Sequence, residues 1–292
     1  MLAGAARTYV NRYGVMPGKQ AVIFTNNNSA YQTALDMHAA GIRVEAIIDT
    51  RHLPKGDVVD AARNAGMRLL DGHTVVNTHG LGRIKAVTAM AMNKDGTEVE
   101  GSRLKIDADV LCTSGGWTPA VHLLSQSRGV VAFDEDIQAF IPHKAHQPQH
   151  WAGAMYGAFD LDKALATGLK AGMAAAKACG HSGTKPTTPK VANMPAFGPP
   201  RPLYHLPKPK KEWGKAFVDI QNDVTHKDLH LALQEGYDNV EHVKRYTTTG
   251  MGTDQGKTGN VNALGVLADI QNKTVPQVGL TTSRPPSTPA TF

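Results

Sequence analysis

Apolar and polar positions repeat with a helical period between residues 57 and 65. Val58, Ala61, Ala62 and Ala65 fall at i, i+3, i+4 and i+7 and predict one amphipathic helix. Ahead of it, residues 20–51 read as strand, tight turn, helix and strand, with Asp49 closing the second strand. Such a βαβ unit is the usual seat of a dinucleotide. A short helix is predicted over residues 3–13, ending in the turn Gly14-Val15-Met16-Pro17-Gly18. Strand-like runs follow at 67–70, 74–78 and 83–92, and the polar Asn93-Lys94-Asp95-Gly96 predicts a hairpin turn. Parallel strands with covering helices, then an antiparallel meander, make an α/β domain of about a hundred residues.

Residues 104–116 end in an apolar strand that runs into the pair Gly115-Gly116. A helix is predicted at 119–126, short strands at 130–133 and 151–156, and a long helix at 160–179. Leu161, Leu165, Gly168, Leu169 and Gly172 share one face of that helix, and the two glycines are expected to let it lie close to a sheet. Residues 181–210 hold eight of the 17 prolines and read as an extended, semi-rigid linker. The pattern then changes to short helices at 225–235, 240–246 and 257–272. Asp223 or Thr225 is placed to cap the first, and Gly236 to end it. Residues 276–292 show no helical pattern and read as a strap.

At 292 residues, with 41% hydrophobic and 19% charged, the chain has room for a substantial core. Its apolar runs fall short of the ~20 residues a membrane span requires, so no membrane is expected as a partner. The first residues lack the cationic start and apolar stretch of a secretory signal. Cys112 and Cys179 make neither a disulfide framework nor a metal ligand set, so a cytoplasmic setting is expected. The net charge of +6 is concentrated in Lys185, Lys190, Arg201, Lys208, Lys210, Lys211 and Lys215, opposed by Glu212. A basic linker of this kind reads as a solvated tether or a docking segment. Nucleic-acid binding would interleave that charge with stacking aromatics, and is not expected.

Two stretches carry candidate chemistry. The turn Thr25-Asn26-Asn27-Asn28-Ser29-Ala30 stands where a dinucleotide fingerprint wants G-x-G-x-x-G/A. Asn27 puts a side chain where phosphate would sit, and Arg51 lies beside the Asp49 that would accept ribose hydroxyls. The turn is either an altered nucleotide pocket or a scaffold whose pocket is filled, and the second fits the residues better. The other stretch is Gly115, Gly116, Trp117 and Thr118 together with Gly157, Ala158, Phe159 and Asp160. A glycine turn before a long helix brings free N–H groups and the positive helix end near a cofactor's phosphates. The alternative is a plain turn with Trp117 in the core. Gly256-Lys257-Thr258 is no phosphate loop, because Met251 stands where the motif needs glycine. His143, His146 and His150 lie in a proline-broken loop and make a weak metal set, so neither a metal nor a catalytic residue is assigned.

Five strings carry a family resemblance: AARTYVNRYGVMPGK (5–19), FTNNNSAYQTA (24–34), CTSGGWTPAVHLLSQSRG (112–129), VEHVKRYTTTGMGTDQGKTGNVNALG (240–265) and VGLTTSRPPSTPATF (278–292). On these the chain resembles the alpha subunits of heterotetrameric sarcosine oxidases, enzymes that oxidatively demethylate sarcosine to glycine. The resemblance implies an internal fragment of a longer subunit, whose intact glycine fingerprint lies earlier and whose folate-binding half lies later. It implies NAD held by alpha and FMN shared at the boundary with the beta subunit. FAD and tetrahydrofolate belong to the assembly but not to this stretch, and the partners are the beta subunit and the smaller subunits. Residues 115–118 and 157–160 would then form the rear wall of a cofactor cleft.

Residues 217–260 resemble the small [2Fe-2S] module of the bacterioferritin-associated ferredoxin type, without its cysteines. The matching ligand positions are Asp219, Gln221, Asp254 and Gly259. Lys244, Arg245, Thr247, Thr253, Lys257 and Asn260 would there meet an anionic group such as a flavin phosphate, a solvated helix face being the alternative. The expected architecture is α/β. It has a connecting helix and turn (1–19), a Rossmann-like nucleotide-binding subdomain (20–103) and the last part of an FAD/NAD(P)-type domain (104–180). A basic linker (181–210), a small helical ferredoxin-like module (211–275) and a strap (276–292) complete it. The runner-up is a non-catalytic scaffold that binds partner subunits and has no cofactor of its own.

Overall fold

The computed structural model describes residues 1–184, 186–192, 198–207, 209 and 214–288. Lys185, Lys208, Lys210, Lys211 and Glu212 of the basic linker, and the last residues of the strap, lie outside these. The chain forms two compact units, Met1–Gly116 with Pro195–Trp213, and Trp117–Met194 with Gly214–Phe292.

In the first unit α1 (Ala3–Tyr13) leads to β1 (Gln20–Thr25), α2 (Ser29–Ala39), β2 (Arg43–Asp49), α3 (Asp57–Asn64) and β3 (Leu69–Asp71). An antiparallel meander follows, β4 (His73–His79), β5 (Ala86–Met92) and β6 (Val99–Asp107), and then β7 (Val110–Ser114). β3, β2, β1 and β7 form one parallel sheet in that order. Period-two alternation sorts its side chains. Ala21, Ile23, Ile47, Val110 and Cys112 pack under the helices with Tyr31, Ala34, Met37 and Val59. Val22, Ala46 and Ile48 pack against Val87, Ala89 and Ile106 of the meander. β1 is therefore covered on both faces, which is why it reads as an unbroken apolar run. Each large side chain so buried contributes roughly 1.5–3 kcal/mol.

α1 stops at Gly14, whose φ of 61° lets its N–H reach the carbonyls of Tyr9 and Val10. Asp109 then fixes the entry to the sheet, accepting from the N–H groups of Lys19 (3.0 Å) and Gln20 (2.9 Å). Burial opposes charge on this carboxyl, but those N–H donors outweigh it and hold the group below the usual aspartate range. Gly18 is needed here, since a Cβ would lie 2.5 Å from Asp109 Oδ1.

The second unit opens with α4 (His122–Gln126), the hairpin β8 (Val130–Asp134) and β9 (Ala139–Lys144), a 3-10 turn (Gly153–Tyr156) and α5 (Leu161–Ala178). It continues with β10 (Phe217–Asp219), β11 (Val224–Thr225), α6 (His226–Gln234), α7 (Val240–Thr247), α8 (Asn260–Gln271) and α9 (Val275–Val278). Leu229 and Ala232 of α6, Val243 of α7, and Leu264 and Leu267 of α8 are buried. Thr225 rather than Asp223 caps α6, in a capping box with Asp228.

Expectations for 151–156, for α5 and for the start of α8 are corrected, and one strand escaped the sequence reading. Residues 153–156 form a 3-10 turn instead of a strand, because Gly153 and Gly157 take φ of 64° and 73°, values foreign to a strand. β9 was hidden by Pro142, which is tolerated because a two-stranded hairpin is all edge. Gly168 and Gly172 have nothing within 4 Å of a Cβ position, and no residue of α5 is buried, so among the described residues this helix is not packed close on a sheet. α8 also begins at Asn260, three residues later than predicted. Among the described residues no helix is long and apolar enough to cross a membrane.

Candidate functional site

In the second unit the loop from Thr248 to Gly259 folds around side-chain acceptors. Asp219, ending β10, accepts from the N–H groups of Gln221 (2.9 Å), Asn222 (3.3 Å) and Gly250 (2.8 Å). Gln221 Oε1 accepts from Thr253 Oγ1 (2.9 Å) and from the N–H of Asp254 (3.2 Å). The two oxygens of Asp254 accept from the N–H groups of Gly256 (3.0 Å) and Thr258 (3.1 Å). Gly259 closes the ring, since a Cβ there would meet Val218 O at 2.7 Å and Asp219 Cα at 3.6 Å. Asp219, Gln221, Asp254 and Gly259 are thus brought together, and the first three supply acceptors to main-chain donors.

This fixed loop delivers Lys257 and Asn260 to a cavity of about 130 Å³, lined also by Thr118, His122, Phe140 and Leu280. The Nε2 of His122 lies 3.1 Å from the carbonyl of Gln255, a partner that can only accept. Nε2 therefore carries the proton and Nδ1 presents a lone pair, which is buried and has no partner. Burial is the main reason the imidazole's pKa lies below its ordinary value. Lys257 adds to that effect, while the Gln255 carbonyl and Asp254 oppose it. His122 was missed by the sequence reading, and its one signal was a polar residue inside the apolar stretch that opens α4. Lys257 Nζ donates to the carbonyls of Ser287 and Asp254. Asn260 Oδ1 accepts from Thr281 Oγ1 at 3.3 Å.

A wider groove of about 620 Å³ is lined by Lys244, Arg245, Arg284, Met251 and Gln255, with Glu241 the acid among them. Burial pulls the pKa of Lys244 down, and the neighbouring Arg245 and Arg284 add to this against Glu241. Lys244 Nζ donates to Thr282 O at 3.2 Å, and Arg245 pairs with Glu241 at 2.6 Å. This arrangement leaves positive charge in a partly desolvated groove, a setting that favours an anion.

Of the residues singled out from sequence, Thr118, Lys257 and Asn260 meet at the cavity, and Lys244 and Arg245 at the groove. Thr247 and Thr253 line neither. Thr247 donates to Val243 O (2.7 Å) and Thr253 to Gln221. Gly115 and Gly116 belong to the first unit, Trp117 and Thr118 to the second. Trp117 is 51% exposed, so the core role weighed for it is corrected. Gly157 faces the hairpin, where a Cβ would sit 2.8 Å from Ile137 Cδ1. Ala158 is buried, the N–H of Phe159 turns back to Gly157 O (3.1 Å), and Asp160 pairs with Lys163 at 2.6 Å.

In the first unit Asn26 and Asn27 spend their side chains within the Asn-rich turn and at the end of β7, while Asn28 Oδ1 is buried without a partner. Asn27 Nδ2 donates to Asn26 Oδ1 (2.9 Å) and Ser114 Oγ (3.0 Å), and its Oδ1 accepts from the Ser29 N–H (3.0 Å). Asp49, 1% exposed, is bound by Tyr31 Oη (2.8 Å), by Arg51 Nη2 (2.7 Å) and Nε (3.1 Å), and by the Arg51 N–H (2.9 Å). Burial, and then the charge of Asp49, push the Tyr31 hydroxyl pKa far up, so it stays a donor.

Comparison with known proteins bears on these sites. Residues 213–292 match the family model of the sarcosine oxidase A3 domain. The chain is 40% identical over 299 residues to sarcosine oxidase subunit alpha of Corynebacterium sp. (strain P-1), a match covering 100% of this chain and 30% of that protein. Against the subunit alpha of Rhizobium meliloti (strain 1021) it is 38% identical over 293 residues, covering 100% and 28%. Among solved structures, L-proline dehydrogenase from P. horikoshii matches with a TM-score of 0.62 at 16% identity, over 98% of this chain and 52% of that one. That likeness is one of fold, a mixed α/β architecture with a parallel sheet. Over its whole length the chain is similar to sarcosine oxidase alpha subunits, and it spans about 30% of the length of those it matches.

Proposed function

We propose that this chain serves within a sarcosine oxidase alpha subunit, supporting oxidative demethylation of sarcosine to glycine by holding cofactors instead of attacking the amine. The observation that carries this reading is the meeting of Thr118, Lys257 and Asn260 with His122 around one cavity of the second unit. These residues come from stretches more than a hundred positions apart, one at 118–122 and the other at 257–260.

The donor set suits the phosphate end of FMN. Lys244, Arg245 and Arg284 offer cations in the groove, and Lys257 and Asn260 offer donors at the cavity. The lone pair on His122 Nδ1 calls for a donor, which a hydroxyl of the bound flavin would supply. When bound, the flavin supplies electron transfer between the oxidised amine and oxygen. This chain's residues neutralise its phosphate and exclude water around it. The beta subunit would complete the site, and the smaller subunits, FAD and tetrahydrofolate would lie elsewhere in the assembly. NAD would be held by alpha, with 117–118 and 157–160 of the second unit contributing. The convergence of Asp219, Gln221, Asp254 and Gly259 supports a ferredoxin-like module in which hydrogen bonds replace a cluster. The scaffold reading is favoured by Thr247 and Thr253, whose hydroxyls are spent inside the fold.

The test uses the full alpha subunit purified with its beta partner. Flavins are released and the FMN-to-FAD ratio is measured by chromatography. Lys257→Gln and Lys244→Gln together are expected to lower that ratio by at least about tenfold, since a single hydrogen bond to a charged group is worth roughly 1.5–3 kcal/mol. An unchanged ratio in a folded complex rejects the reading.

A further inference from the structure

The crevice beyond the carboxyl ends of β1 and β7 is where an open parallel sheet takes its ligand, because the chain leaves β1 for opposite neighbours on its two sides. In this chain three things occupy that place. Asn26 and Asn27 stitch the two strand ends together. The N–H of Asn26 donates to Ser114 O (3.3 Å), Asn26 Nδ2 to Gly115 O (3.2 Å), and Asn27 Nδ2 to Ser114. Asp49, which would accept ribose hydroxyls, has its oxygens filled by Tyr31 and Arg51.

The third occupant is a distant piece of the same chain, Gly198-Pro199-Pro200-Arg201-Pro202. Three of these residues lack an N–H, so Arg201 is the lone donor of the stretch 199–202, and that N–H is given to Asn26 O at 3.1 Å. Arg201 Nη2 donates to Lys94 O at 2.9 Å in the hairpin turn, anchoring the segment's far side. Both flanks are glycines at positive φ, a backbone that other residues adopt only with strain. A Cβ on Gly116 (φ 110°) would touch Pro200 at 3.8 Å, and one on Gly198 (φ 62°) would lie 3.4 Å from Asn28 Nδ2. Proline fixes the segment as an extended rod before it docks, so little conformational entropy is lost in docking.

We propose that this crevice is a groove for a proline-rich segment of the chain itself, occupied by residues 198–202, and takes no dinucleotide. The proposal concerns the first unit alone and stands apart from the flavin reading of the second. Hydrogen–deuterium exchange on the full chain tests it, with peptides covering 25–30 and 198–206. In the wild-type chain the Arg201 amide is expected to be protected. Millimolar NAD(H) or NADP(H) should leave exchange in both peptides unchanged. Arg201→Pro keeps the extended backbone but removes the donor, and should speed exchange at residues 26–29 about tenfold. Arg201→Ala, which keeps the N–H, should do so far less. Exchange at the free-peptide rate for Arg201, or a nucleotide-dependent change in both peptides, overturns the proposal.

Discussion

The Asp49 carboxylate shows what a single buried charge demands. It is 1% exposed and charged, and Arg51 is the cation paired with it at 2.7 Å. Replacing Arg51 with Met leaves that charge without compensation, so the first unit should lose about 3–5 kcal/mol of stability, read from urea unfolding. A loss under 1 kcal/mol would show that Tyr31 alone suffices. Asp219 does the same work for the second unit by accepting from three main-chain donors. Asp219→Ala should cost about 2–3 kcal/mol there, and loosen the Gly250 amide in exchange measurements. At this scale the sequence was half legible. An acid at the end of β2 follows from the βαβ pattern. That Tyr31 and Arg51 would sequester it depends on helix and strand packing, which spacing alone does not reveal. His122 stayed invisible for a related reason, since its lone pair acquires meaning only when Gln255, 133 positions away, takes the other ring nitrogen.

Elements were legible where their period was strong. α1, α2, α3, β1 and β2 follow from apolar spacing, while 153–156 and β9 failed where glycine and proline governed the backbone. α6 carries a pH signature. Hydrogen bonds from the Thr225 hydroxyl, and then from its N–H, hold the Asp228 carboxyl below the ordinary aspartate range, outweighing burial. A group whose folded pKa is depressed stabilises fully above its unfolded value, and loses that contribution as pH falls through the folded one. The cap should therefore weaken below about pH 4 and contribute no pH dependence above it. Melting temperature followed from neutral to acid pH checks this, and Asp228→Asn should remove the step attributable to α6. α5 makes the opposite case. Its apolar face was readable, but a stripe of Leu and Gly does not say whether anything packs on it, and no side chain of this helix is buried.

For the whole molecule, parallel strands with covering helices followed by an antiparallel meander were readable from where the period switches, but that β7 joins the sheet and the meander covers its other face was not. Nor was the return of residues 198–202 to the first unit. A segment of prolines with one donor leaves no periodic trace, and its destination is set by where that donor finds an acceptor. This return has a consequence for biosynthesis. Residues 1–116 leave the ribosome before the piece that fills their crevice has been made. At 5–20 residues per second, the roughly 80 residues in between take about 4–16 s. For that interval the nascent first unit carries an unfilled notch at its sheet's carboxyl end, and its maturation is timed by translation of a stretch that belongs to its neighbour.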